Sequence, residues 1–544
     1  MARELLAAIT EYRAAAEIEW RSGCRPVSPS SRSEQRKVQD TTITKERNAS
    51  ELRRRRWRVL VIASVGVFMA TLDSSIVAVA LPAIGPHLRL TYSEALWVQA
   101  AYILVITILL IPVGRLAQRH GLMRVYTLGV VLFGLFSVVA ALSPGGFFLV
   151  VARVFQGVGG ALLFTTSAAI VTAAFPPGER GRALGLNVMA GTIGYTLGPL
   201  LGGLIVTHLG WRWIFLLNAP VATATLLGGW DLLGVERRDR AAERKKTGIS
   251  PGSGRIDTMG AALLGMVLAT LFVPLIFSPL WGWGNGRTIS LLAAAAVLIV
   301  VFVLVERRAK DPLLDLRLFR RNRVFAGANT ASVLYHAATY GVTIFTAVFL
   351  EVVQGHSAER SGLILLTQPA IMTAFTPLAG RLSDRVGSHG LAAVGMILMA
   401  AGTGQLALVT SSASVSRVLL ALATLGLGMA LFSAPNLSAV MGAVDRSQLG
   451  VASGVFATAR FCGQGVSIAM LGAIAASKLG PAGGRVILLG ESAPVSSAQA
   501  FAAGYREAML VGAGLALAGA LASLVREKTS ERPKFWEPQV IPPA

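Results

Sequence analysis

The octet Gly114-Arg-Leu-Ala-Gln-Arg-His-Gly121 returns 266 residues later as Gly380-Arg-Leu-Ser-Asp-Arg-Val-Gly387, identical at five of eight positions. Each copy joins two long apolar runs. A basic hairpin duplicated between hydrophobic segments points to a polytopic membrane protein assembled from two related halves.

Working outward from the octets, the rest of the chain has the same character. Of the 544 residues 53% are hydrophobic and only 14% charged, with 58 glycines. A water-soluble chain of this length carries about 25% charged residues. Runs of roughly 20 apolar residues, enough to cross a hydrocarbon core of ~30 Å as helix, recur along almost the whole sequence. Fourteen are expected, near 58–82, 95–114, 124–142, 147–173, 183–206, 213–235, 257–277, 288–305, 324–350, 361–379, 391–410, 416–441, 449–476 and 503–525. The fold class is therefore an all-α polytopic membrane protein.

The net charge of +22 raises the question of nucleic acid, and the placement of the 50 Lys and Arg residues answers it. Fourteen spans put both termini on one side. The N-terminal tail, with Arg53 to Arg56 and Arg58, the loops on that side and the C-terminal tail hold all but ten of the basic residues. The opposite side has Arg89, Arg212, Arg287, Arg360, Arg417, Lys478, Arg485 and Arg506; Arg153 and Arg460 lie inside spans. This asymmetry places both termini in the cytoplasm and reports topology in a cell inner (plasma) membrane rather than a nucleic-acid partner.

Residues 1–56 precede the first span, too long a stretch for a cleavable signal peptide, and are expected to be a disordered basic cytoplasmic tail. Cys24 and Cys462 stand in different environments without a CxxC partner, so neither a disulfide nor a zinc site is expected. The six histidines form no HExxH, and no Walker A loop or GxSxG elbow occurs. An enzyme, an ATP-driven pump and a metal or organic cofactor are thus unsupported.

Six helices with short loops need about 180 to 200 residues at ~30 per helix and loop. The octet spacing exceeds this, so two further spans fit between the halves. The expected organisation is a tail 1–56, a six-helix bundle 57–235, a basic linker 236–256, two additional helices in 257–305, a basic loop 306–323, a second six-helix bundle 324–525 and a cytoplasmic tail 526–544.

Five motifs in order resemble one family. The first span carries Leu72-Asp73-Ser-Ser-Ile-Val-Ala-Val-Ala-Leu81-Pro82. The octets follow, with Gly114, Arg115, Gln118, Arg119 and Gly121 in one copy and Gly380, Arg381, Asp384, Arg385 and Gly387 in the other. The fourth span has Arg153-Val-Phe-Gln156-Gly157-Val-Gly159-Gly-Ala161, and the fifth has Gly194-Tyr-Thr-Leu-Gly198-Pro199-Leu-Leu-Gly202-Gly203. Trp211-Arg-Trp-Ile-Phe-Leu-Leu-Asn218-Ala-Pro220 opens the sixth. Over about residues 57–525 the chain is similar to the fourteen-helix drug:proton antiporter branch of the major facilitator superfamily, the EmrB/QacA type. The resemblance implies a major facilitator fold, alternating access driven by the proton gradient, and small-molecule substrates. It also implies that the fifth-span motif lies between the two halves of exporters and hinders leak, which sets the direction as export.

The residues have readings of their own. Gly194, Gly198 and Gly202 share one helix face, where a neighbouring helix can approach closely, and Pro199 can bend the helix. Asp73 lies about 22 Å from Arg58 at ~1.5 Å per residue, and Arg153 about 9 Å from the opposite edge, so the two reach a similar depth. They form either a permanent ion pair or a carboxylate that exchanges a proton or meets a cationic substrate. In 324–350, Asn329, Ser332, His336, Thr339, Tyr340, Thr343 and Thr346 fall on one face, which should line a cavity with His336 near mid-membrane. Arg460 is deeply placed and needs a partner that the sequence does not name. Tyr102, Tyr195, Tyr335, Tyr340, Phe345 and Phe349 could stack on a flat lipophilic cation, although most of them are expected to face lipid or other helices. Asp384 is the acidic residue the octet motif directs at a helix N-terminus, whereas Gln118 carries no charge, so the two gates should be unequal.

These observations predict a monomeric exporter in the lipid bilayer that exchanges protons for small lipophilic or cationic molecules. The alternatives are a dedicated exporter of one endogenous metabolite (antibiotic, amino acid, siderophore or lipid) and a transport-inactive receptor or scaffold.

Overall fold

A computed structural model describes residues 29–90, 92–247, 257–282, 284–309, 312–314, 316–477 and 495–524. The chain divides into two compact units, Met1–Arg58 and Val59–Ala544. The first unit is helical from Pro29 onward. This differs from the disordered tail expected for 1–56, whose residues 1–28 lie outside the described residues. Proline is tolerated in a first helical turn.

The second unit is built from helices at all fourteen predicted positions: α1 (Pro29–Leu88, which begins in the first unit), α2 (Tyr92–His120), α3 (Leu122–Ala141), α4 (Gly146–Ala174), α5 (Pro177–His208), α6 (Arg212–Leu216 with Asn218–Thr247), α7 (Thr258–Trp281), α8 (Gly286–Arg308), α9 (Arg323–Val348), α10 (Ala358–Leu365 with Thr367–Val386), α11 (Ser388–Ala407), α12 (Val415–Gly442), α13 (Leu449–Ser477) and α14 (Val495–Ser523). Among the described residues twelve stretches are long and apolar enough to span a bilayer, and a thirteenth is α5, bent by 43° between Gly198 and Leu200. The bend falls at Pro199, where a backbone hydrogen bond is missing. The linker expected at 236–256 starts later than predicted: α6 runs on to Thr247, through a sequence of Ala, Glu and Arg with high helix propensity. Its remainder lies outside the described residues.

Lipid tails are as apolar as leucine, so helices in a membrane associate by close packing at small residues. The two halves use this in parallel. In the first, a Cβ on Gly159 of α4 would stand 2.7 Å from the Phe133 nitrogen of α3. In the second, a Cβ on Gly428 of α12 would stand 2.6 Å from the Gly395 carbonyl of α11. The α2–α4 contact of the first half is matched by α10–α12 of the second, and α3–α6 by α11–α14. The core of the second half contains Tyr335, Phe349, Met396, Leu425, Phe432, Phe501 and Tyr505. That of the first includes Ile76, Leu149, Trp211 and Phe215.

Candidate functional site

Each octet closes a helix and turns the chain. Gly121 and Gly387, their last residues, have φ of 105° and 90°, a region that side chains other than hydrogen seldom enter. The first glycine of each octet makes a close crossing to the other half. A Cβ on Gly114 would lie 2.5 Å from the Gly450 carbonyl oxygen of α13, and one on Gly450 2.6 Å from that of Gly114. A Cβ on Gly181 of α5 would lie 2.6 Å from the Gly380 carbonyl oxygen, and one on Gly380 would meet the Gly181 carbonyl. The halves therefore interlock backbone to backbone at the octet end, along α2–α13 and α5–α10.

Beyond the glycines the two octets differ. Asp384 accepts the backbone N–H groups of Gly181 at 2.8 Å and Arg182 at 3.0 Å, near the start of α5, where Gly181 has no Cβ to obstruct it. This is the carboxylate-to-helix-start contact expected of the motif. Gln118, half-buried in the other octet, brings no charge to the matching place. Arg115 instead donates from Nε to the Leu313 carbonyl at 2.9 Å and from Nη2 to that of Pro312. The first octet thus holds the loop that follows the two additional helices. Arg119, Arg381 and Arg385 are exposed.

The predicted meeting of Asp73 and Arg153 is present, sealed among α1, α2, α3, α4 and α6. Arg153 Nη1 donates to Asp73 Oδ2 at 2.5 Å and to Gln156 Oε1 at 2.6 Å, and its Nε donates to the Val98 carbonyl at 3.1 Å. Gln156 Nε2 and Asn218 Nδ2 both donate to Asp73 Oδ1, at 2.8 and 3.1 Å, and both reach Ser137 Oγ. The Tyr102 ring covers the guanidinium at 4.1 Å, with its hydroxyl donating to the Ala70 carbonyl. Asp73 is 1% exposed and Arg153 0%. Every hydrogen bond reaching Asp73 comes from a donor, the surroundings of an ionised carboxylate. Gln156 and Asn218 stand in the motifs quoted above, and their part in this network was the reading missed. One signal was available: Gln156 lies three residues after Arg153, on the same face.

Arg460 is placed differently. Its guanidinium carbon lies 5.7 Å from the Phe164 ring of α4 and 5.8 Å from that of Phe461. Tyr335 and Tyr340 of α9 and Tyr195 of α5 are its electrostatic neighbours. It therefore sits where both halves contribute. Among the described residues no carboxylate pairs with it, and its buried Nε has no hydrogen-bond partner. His336, on the next turn of α9, points Nδ1 at the Ser332 carbonyl at 2.8 Å, and its Cβ packs against Gly463 of α13.

Two expectations need correction. The polar face of α9 does not line a cavity along its length: Asn329, Ser332, Thr339 and Thr346 are buried. The Asn329 Nδ2 and the Thr339 and Thr346 hydroxyls donate back to carbonyls four residues earlier, while Asn329 Oδ1 and Ser332 Oγ have no partner among the described residues. Only His336, Tyr340 and Thr343 remain half-buried on that face. The glycine face of α5 packs within its own half: Cβ atoms at Gly194 and Gly198 would strike Phe68, Thr71 and Ser75 of α1. Gly203 has nothing within 4 Å, and the contact between halves uses Gly181 and Gly185 instead. Most of the aromatic set is also committed. Tyr102 covers Arg153, Tyr335 stacks on Phe432 at 4.5 Å, and Phe349 stacks on Tyr505 at 4.5 Å. Tyr195, 46% exposed, and Tyr340 remain open.

Two pseudo-equivalent helical bundles, interlocked through repeated octets and enclosing charged residues at mid-depth, define a polytopic membrane carrier. The Major Facilitator Superfamily model matches residues 63–468, and this chain belongs to that family. It is 34% identical over 434 residues to the tetracenomycin C resistance and export protein of Streptomyces glaucescens, covering 79% of this chain and 78% of that one. It is 34% identical over 421 residues to the multidrug resistance protein Stp of Mycobacterium tuberculosis, covering 77% and 76%. Among solved structures, the proton:xylose symporter XylE superposes with a TM-score of 0.56 at 14% identity, over 86% of this chain and 94% of that one. The human organic anion transporter MFSD10 superposes with a TM-score of 0.56 at 16% identity, over 85% and 99%.

Proposed function

We propose that this protein is a proton-coupled exporter of small lipophilic molecules, of the fourteen-helix drug:proton antiporter type, working by alternating access in the cell membrane with both termini cytoplasmic. The interlock at the octet end carries this reading. It holds one side shut with backbone-to-backbone crossings and two hydrogen bonds to Asp384, an arrangement that rocking of one half against the other can open. The basic residues crowd on that side, which supports reading it as the cytoplasmic one, closed in this state. The relatives named for resistance and export support the direction.

Coupling through Asp73 requires its network to open. In the closed arrangement a proton on Asp73 would set an O–H donor against guanidinium or amide donors. Proton uptake and loss of the Arg153 contact therefore go together. In everted vesicles with an imposed proton gradient, adding a quinolone should release protons, and Asp73→Asn should abolish the response. Unchanged transport by Asp73→Asn would remove Asp73 from the coupling step.

A second reading, export of one dedicated metabolite, is supported by the relatives named for tetracenomycin C and for methylenomycin A resistance. No response to a broad drug panel, with a response to one natural product, would select it.

A further inference from the structure

Arg460 is the mid-depth charge the closed structure leaves uncompensated. An arginine at the centre of a membrane helix is costly and is normally paired or lining a wet space. Arg153 meets that demand with Asp73. Arg460 does not: its Nε is buried and unbonded, and no carboxylate among the described residues reaches it. What surrounds it is aromatic. Phe164 and Phe461 flank the guanidinium, and the Tyr195 and Tyr340 side chains, on opposite halves, stand near it and near each other. Tyr195 is 46% exposed, so part of this wall is open.

From this arrangement we infer that Arg460 is the docking point for an acidic group on the transported molecule, and that the substrate class is the flat aromatic acid: a carboxylate, or an ionised phenol or enol, on a fused ring system. The inference rests on the exporter reading and deepens it. A guanidinium presents parallel N–H donors that match two oxygens of a carboxylate or of a neighbouring phenol and carbonyl. The ring system lies against Phe164, Tyr195 and Tyr340. His336, with Nδ1 committed to the Ser332 carbonyl, has only Nε2 left to offer. A permanently cationic ligand meets the wrong sign here, because Asp73 is already neutralised by Arg153 and sealed from this space. The contacts join α4 and α5 of one half to α9 and α13 of the other, so an acid bound at Arg460 touches both moving bodies.

The test uses the purified full-length protein in nanodiscs and three probes of one shape: 2-naphthoate, its neutral methyl ester and the 2-naphthylmethylammonium cation. Equilibrium dialysis reads affinity without any transport. Wild type should prefer the acid over the ester by about tenfold or more, as expected for a charge-assisted bidentate bond, and bind the cation weakest. Arg460→Gln should remove the preference, and Arg460→Lys should keep part of it. The inference is overturned by a wild type that binds ester or cation as well as acid, a result needing no variant, or by an acid preference that survives Arg460→Gln. Acid-selective binding without proton-linked movement in everted vesicles would sink the exporter reading alone. Proton-linked movement of neutral and cationic probes with no acid preference would sink only this one.

Discussion

The two halves share a helix plan but distribute charge in opposite ways. In the first half the mid-membrane Arg153 has a counter-charge in Asp73, with Gln156 and a backbone carbonyl also accepting from it and only Nη2 without a partner among the described residues, while the octet has uncharged Gln118. In the second half the octet carries Asp384, bonded across to α5, while the mid-membrane Arg460 has no counter-charge among the described residues. Each half thus contributes one complete electrostatic arrangement and one incomplete one. The central pair ties α1 to α4 inside the first half, whereas the second half has no such charge-to-charge tie at Arg460 among the described residues.

The largest expected break in this comparison comes from the central arginines. Arg153→Met leaves Asp73 buried without its counter-charge and should destabilise the protein by about 3–5 kcal/mol, read as a lowered Tm in detergent. Adding Asp73→Leu should recover most of that loss. Arg460→Met removes a charge that has no partner to strand, so its Tm should be unchanged or raised; a fall as deep as that of Arg153→Met would show that the two sites are alike.

Next come the crossings. Gly114→Ala and Gly380→Ala each push a methyl into a backbone carbonyl of the other half. Each should cost the closed octet side about 1–3 kcal/mol, visible as greater reaction of cysteines introduced near the octets. Gly203→Ala, with open space around it, should leave that reaction unaltered.

Smaller effects concern the octet charges. Asp384→Asn weakens the bonds to Gly181 and Arg182 by about 1–2 kcal/mol and should raise the same cysteine accessibility. Gln118→Asp, which makes the first gate resemble the second, should lower it by about 0.3–1 kcal/mol; no shift would mean that the gates are unequal for a reason other than charge. Smallest is Arg115→Ala, which frees the Pro312 and Leu313 carbonyls and should raise proteolysis within 309–315 while leaving the octet gate closed.

Much of this was legible before any coordinates. Span positions follow from apolar runs, the halves from the octets, and the Asp73–Arg153 meeting from a rise of ~1.5 Å per residue counted from opposite edges. The failures share one cause: periodicity says which residues share a face, not what that face meets. Gly194 and Gly198 do lie on one face, but α1 covers it rather than the other half. The hydroxyls of Thr339 and Thr346 also lie on one face, and each bends back to its own helix. The Arg115 contact joins residues 198 apart in sequence between two backbone carbonyls, which leave no mark in side-chain type. Arg460 was legible as a problem, a deep charge lacking a partner, and the structure keeps that problem open.

The helix α7 lies against both α2 and α13. Ile108 of α2 is 3.2 Å from where a Cβ on Gly265 would sit, the Trp97 ring of α2 is 5.1 Å from that of Phe277, and Phe272 packs on Gly465 of α13. It therefore straddles the line along which the two halves part. Any rocking that spreads α2 from α13 must slide one of them along α7, with glycine facing aliphatic or aromatic carbon and no hydrogen bond among those contacts. If the halves rock as proposed, the added helix is placed to act as a bearing that guides the stroke and keeps lipid chains out of the joint.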